Sequence, residues 1–136
     1  MNIWSDVRSD VLKWLPHDMG ALELKHKVPE VTFLGVQAQP DFAELFITLY
    51  PRARQIELKS LKEYIYSWRD VVVSYERFVD TVFAHMTQVY EPVRIRLVLV
   101  TRPRGGISSK ITVDSDWTIR GGTEQFRDWI GAEDTW

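Results

Sequence analysis

Two helical patterns stand back to back in the middle of this chain, and extended patterns flank them on both sides. From Glu57 onward Leu58, Leu61, Ile65 and Trp68 recur at i, i+3, i+7 and i+10, one face of a helix, with Lys59, Lys62, Glu63 and Arg69 opposite. After Val71-Val72-Val73 crosses over, Phe78, Val79, Val82, Phe83, Met86, Val89 and Tyr90 form a broad apolar stripe that Pro92 ends. Helices that follow one another directly do not alternate with strands. The order therefore predicts an α+β fold rather than a wound parallel sheet.

The flanks supply the strands. Ala21 to Lys27 alternates Leu22, Leu24 and His26 against Glu23, Lys25 and Lys27, a half-exposed strand. A second extended piece, Val31 to Val36, follows Pro29. Proline makes residues 37 to 41 a loop, and Phe42 to Tyr50 then reads as a strand closed by Pro51. Beyond the helices, Val93 to Thr101 is a strong strand, Arg102 to Gly106 a turn and Ile107 to Val113 a return strand. Ahead of all this, Ile3, Val7, Val11, Trp14 and Leu15 stand at helical spacing, which predicts an amphipathic N-terminal helix ended by Pro16 and Gly20. Three segments result: an N-terminal helical extension over 1–20, a ββααββ domain over 21–113, and a tail over 114–136 with a short helix from Thr123 to Ile130.

Composition narrows the function classes. At 136 residues with 45% hydrophobic and 26% charged residues, the chain has enough apolar material for one ordinary globular core. A formal net charge of -2 argues against a dedicated nucleic-acid binder. The first turns mix Asp6, Arg8 and Asp10, unlike a signal peptide, and no aliphatic run approaches the ~20 residues of a membrane span, so a cytoplasmic location is expected. There is no cysteine, which excludes disulfides and thiolate metal sites, and His17, His26 and His85 show no ligand spacing. No metal is expected. Six tryptophans are many for this length and raise the expectation of a homo-oligomer.

Some residues invite chemistry on their own. At the start of the first helix Lys59 and Ser60 stand beside free backbone N–H groups, a place where an anion such as a phosphate is favoured, or simply a solvated helix start. Arg102 and Arg104 around Gly105-Gly106 offer either a phosphate site or a solvated hairpin turn.

Three blocks in order carry a family resemblance. Glu57 to Arg69, E-L-K-S-L-K-x-Y-x-x-S-W-R, resembles the signature of the NADPH-dependent nitrile reductases of queuosine biosynthesis, the QueF family, which convert 7-cyano-7-deazaguanine to its aminomethyl product. Gln39-Pro40-Asp41-Phe42 resembles that family's G-Q-P-D-F, and Arg104-Gly105-Gly106-Ile107 its R-G-G-I loop. The resemblance implies the tunnelling fold shared with GTP cyclohydrolase I, in which four-stranded sheets join side by side into an oligomeric barrel and sites lie between subunits. It associates Glu57, Lys59 and Ser60 with NADPH, and Arg104, read as a phosphate ligand of its turn, would join them. Glu76 takes the place of the glutamate that holds the deazaguanine ring, and Asp41 that of the proton donor.

The same resemblance shows two departures. The family's nucleophilic cysteine stands seven residues before the aspartate of Q-P-D-F, and here that position is Leu34. The family's histidine is replaced by Tyr75. A hydrocarbon has no lone pair to add to a nitrile carbon, so cysteine-dependent nitrile reduction is not expected. The reading is a family member that binds a 7-deazaguanine, purine or pterin through Glu76, with NADPH retained or not. Non-covalent acid/base chemistry using Asp41, Tyr75 and Glu76 is an alternative, as is a structural partner of an active reductase subunit.

Overall fold

A computed structural model of the chain describes residues 2–116. Its strands are β1 (Asn2–Ile3), β2 (Trp14–Pro16), β3 (Leu24–Leu34), β4 (Pro40–Tyr50), β5 (Arg54–Ile56), β6 (Val71–Val72), β7 (Arg94–Thr101) and β8 (Lys110–Asp114), and its α-helices are α1 (Leu58–Tyr66) and α2 (Tyr75–Tyr90). The main sheet runs β1-β6-β3-β4-β7-β8, with β2 and β5 pairing apart from it. Between β3 and β8 every pairing is antiparallel, while β6 and β1 add parallel steps at the β3 edge. The predicted ββααββ order is present as β3, β4, α1, α2, β7 and β8.

Register explains which face meets the helices. Leu45 opposes Leu99 and Ile47 opposes Leu97, so these side chains share one face, and all four are buried with Val31, Phe33 and Ile95. Helix residues Tyr64, Phe78, Val82 and Met86 close over them at 0% exposure. Phe33 and Phe78 stack at 4.8 Å between centroids, and Trp68 meets Phe78 edge-on at the same distance. The alternate face of the sheet carries a charged cluster. Thr48 opposes Arg96, which opposes Asp114. Asp114, fully buried, accepts from Arg94 at 2.8 Å and from Arg96 at 2.9 Å.

Several expectations differ from what is observed, and Pro40 and Asp41, expected in the loop, open β4. The N-terminal stretch is not an α-helix: Trp4–Asp6 and Ser9–Val11 are single 3-10 turns, followed by β2. The backbone of Lys13 is drawn into tertiary bonds instead, its N–H donating to Ser60 Oγ at 2.9 Å and its carbonyl accepting from Tyr90 Oη at 2.9 Å. A helix would use those groups internally. Pro29 does not split the first strand in two. It sits in a register shift between Val28 and Val31, within one strand of 11 residues, because a bulge leaves a proline with no ladder bond to make. The return strand starts at Lys110 rather than Ile107, since Ile107 is held in a bridge to Arg104. The short helix expected from Thr123 to Ile130 lies outside the described residues.

Candidate functional site

One end of the sheet gathers the chemistry-bearing residues: the end of β3, the start of β4, the start of α2 and the loop after β7. Asp41 is the second residue of β4 and directly opposes Phe33, so it shares the helix-facing side and is buried to 4% exposure. Arg104 Nη1 donates to its Oδ1 at 3.1 Å and to Oδ2 at 3.4 Å. Gln39 Nε2 donates to Oδ2 at 3.3 Å, and Gln39 Oε1 in turn accepts from the Gln37 N–H at 3.1 Å. A buried carboxylate requires such partners.

The loop that brings Gln39 onto Asp41 depends on two small residues. Gly35 N–H donates to the Gln39 carbonyl and the Ala38 N–H to the Gly35 carbonyl, at 2.6 and 2.7 Å. A Cβ at Gly35 would stand 1.7 Å from Gln39 Nε2 and 2.4 Å from Asp41 Oδ2, so only glycine fits under these side chains. Ala38 has a φ of 61°, a left-handed conformation, at the position where the resembled block has glycine.

Tyr75 and Glu76 open α2, which Ser74 caps by accepting from the Arg77 N–H at 3.1 Å. The Tyr75 ring lies edge-on to Phe33 at 5.5 Å, and Phe33 opposes Asp41 across the β3/β4 pair. Burial pushes its phenol up from the ordinary tyrosine range, and the negative charge of Asp41 adds to this while Arg104 opposes it. The phenol is thus a proton holder at neutral pH and fits a hydrogen-bond donor rather than a base. Glu76 is exposed and has no hydrogen bond or ion pair among the described residues. Leu34 closes β3, half-buried, with its carbonyl accepting from the Val73 N–H at 2.9 Å. It opposes Pro40, one step beyond the Phe33/Asp41 pair, and so belongs to the alternate face of the sheet. Leu34 and Asp41 share an end of the sheet and not a face.

The start of α1 is built differently from the anion site its sequence suggests. The Glu57 carboxylate itself accepts from the Lys59 N–H at 3.0 Å and the Ser60 N–H at 2.9 Å. Those two backbone bonds, Ser60's first, hold its carboxyl below the usual range. The Ser60 hydroxyl, buried, donates to the Glu57 carbonyl at 2.8 Å and accepts from Lys13. Of the expected phosphate ligands there, the exposed Lys59 ammonium is what the geometry leaves to a ligand. Beside this helix a groove of about 310 Å³ runs between α1 and the β3 bulge, with Lys27, Lys62, Tyr66 and Arg69 among its walls. The Arg69 guanidinium lies over the Tyr66 ring at 4.4 Å. Among the described residues no group of three or more His, Cys, Asp or Glu side chains is placed to hold a metal ion. Sequence reasoning missed Gln39 and Gly35, although Gln39 stands inside one of the three resembled blocks and Gly35 directly follows Leu34.

The architecture places the chain in the class of α+β tunnelling folds. It superposes on the crystal structure of the archaeosine synthase QueF-Like in the apo form with a TM-score of 0.59, covering 72% of this chain and 95% of that one, and the 14% identity makes this evidence of fold. A family model described as QueF-like protein matches residues 40–120. The NADPH-dependent 7-cyano-7-deazaguanine reductase of Thioalkalivibrio sulfidiphilus is 35% identical over 98 residues, 69% of this chain and 76% of that protein. The protein of the same name from Sulfurimonas denitrificans is 29% identical over 111 residues, 81% of this chain and 89% of its own length. The chain belongs to the QueF-like family.

Proposed function

We propose that this chain binds a 7-deazaguanine or a similar purine- or pterin-like heterocycle at the Asp41 end of the sheet and does not carry out cysteine-dependent nitrile reduction. The observation that carries the reading is the pairing of a fixed cluster, Asp41 with Arg104 and Gln39, with an exposed Glu76 carboxylate that has no partner among the described residues. A carboxylate accepts two hydrogen bonds from a ring N–H and an exocyclic amino group, and the charge strengthens both. The curated relatives are named for activity on 7-cyano-7-deazaguanine, which supports that ring class. At the nucleophile position Leu34 offers no lone pair, so no thioimidate forms there.

A nicotinamide cofactor fits the groove along α1 better than the helix start, because Glu57 already occupies the backbone donors. Lys27, Lys62 and Arg69 line that groove and are the cations that would hold its phosphates, and Tyr66 presents a ring at half exposure. When bound, NADPH supplies a hydride. Acid/base chemistry through Tyr75 finds less support, since its phenol is shifted away from neutrality.

The test is calorimetry with 7-cyano-7-deazaguanine on the wild-type chain and on Glu76→Gln. Heat from the first and a loss of at least tenfold in affinity in the second support the reading, a size typical of a lost charge-assisted pair. Equal affinity in both sinks it.

A further inference from the structure

The reading of Glu76 as the acceptor for a guanine-type donor edge leaves that ring's neighbouring carbonyl oxygen without a donor. Arg104 is placed to supply one. Its Nη1 is committed to Asp41, yet its side chain is 48% exposed, and its other N–H groups make no hydrogen bond among the described residues. A guanidinium carries five N–H donors in one rigid plane, so one edge can rest on a carboxylate while another faces a ligand.

Everything beneath and beside this plane is fixed. Asp41 is buried and held by Gln39, which lies in the space left by Gly35. On the chain side, Arg104 and Ile107 exchange two backbone bonds of 3.0 and 3.1 Å around Gly105 and Gly106, whose φ angles of 60° and 82° glycine alone adopts freely. Tyr75 packs edge-on against Phe33, which opposes Asp41, so the start of α2, where Glu76 follows Tyr75, stands at the Asp41–Arg104 pair. A donor held in place before the ligand arrives costs little ordering on binding.

We propose that Arg104 is a specificity-determining residue of this site: its outward N–H groups donate to the 6-oxo oxygen of a guanine-type ring whose N1–H and 2-amino groups meet Glu76. Arginine cannot accept a hydrogen bond, so a 6-amino ring sets donor against donor. The role differs from phosphate binding, which makes no distinction between such rings.

The experiment is calorimetry with 7-deazaguanine and with 2,6-diamino-7-deazapurine, on the wild-type chain, Arg104→Gln and Arg104→Lys, with melting curves on each. The wild type is expected to prefer the 6-oxo ring by about 100-fold, as sites built around a hydrogen bond do. A glutamine amide both donates and accepts, so Arg104→Gln narrows the preference about tenfold; what remains belongs to Glu76, because the 6-amino ring also lacks the N1–H that meets its carboxylate. Arg104→Lys, which retains a charge for Asp41 and hence the fold, loses part of the preference. An unchanged preference in both variants, or a preference that is absent in a wild type that binds both rings, overturns the role of Arg104 and leaves Glu76 standing. A wild type that binds neither ring overturns the Glu76 reading and this one with it.

Discussion

Arg104, in the loop after β7, reaches back 63 positions along the chain to place its Nη1 3.1 Å from Oδ1 of Asp41. The carboxylate is buried and the guanidinium half-exposed, so the two partners are not equivalent. Removing the arginine strands a buried charge, whereas removing the charge leaves the arginine in water. Arg104→Ala is therefore expected to lower unfolding stability by about 2 kcal/mol, and Asp41→Asn by less, since the amide still accepts one bond. Urea denaturation of both variants and the double variant measures this. A coupling near zero would show that the pair contributes nothing.

The loop from Gly35 to Gln39 is tuned by backbone constraints of opposite sign. Gly35→Ala puts a methyl group on Gln39 and Asp41 and is expected to destabilise by about 1–3 kcal/mol. Combining it with Gln39→Ala recovers part of the loss. Ala38→Gly relieves a left-handed alanine and is expected to stabilise by about 1 kcal/mol. Thermal melts of the three variants settle the signs, and a Gly35→Ala protein as stable as the wild type would contradict the packing described.

Asp114 predicts an acid-sensitive fold. Burial pushes its carboxyl up, but bonds from Arg94, Arg96 and the Asp116 N–H outweigh burial and leave it lowered. A lowered carboxyl adds stability above the ordinary aspartate value of about 3.9 and loses it as pH falls through the folded-state value. Asp114→Asn is expected to cost about 3 kcal/mol at neutral pH, because it removes the buried carboxylate to which Arg94 and Arg96 both donate. The gap between wild type and variant should close below about pH 4. Melting temperature against pH checks this, and a pH-independent gap would contradict it.

Much of this architecture was legible in the chain itself. The helices announced themselves because Leu61, Ile65, Phe78 and Val82 obey helical spacing on a buried face, and Leu45, Ile47, Leu97 and Leu99 sit where alternation puts the core. What escaped depended on partners far away in sequence. The N-terminal stretch has helical spacing, yet Lys13 is bonded by Ser60 and Tyr90, 47 and 77 positions on. Ser60 reads as a phosphate ligand until its hydroxyl is found buried against Lys13. The bond from Arg104 to Asp41 spans 63 positions and has no local signal either. Local pattern cannot report contacts of that range.

The proposed separation of a retained ring pocket from a lost nucleophile is tested most directly by incubating the protein with 7-cyano-7-deazaguanine and NADPH and recording binding heat, cofactor absorbance and intact protein mass. Binding heat for the nitrile is expected, with no consumption of NADPH and no added mass. Steady loss of NADPH absorbance, or a mass increase equal to the nitrile, would contradict it.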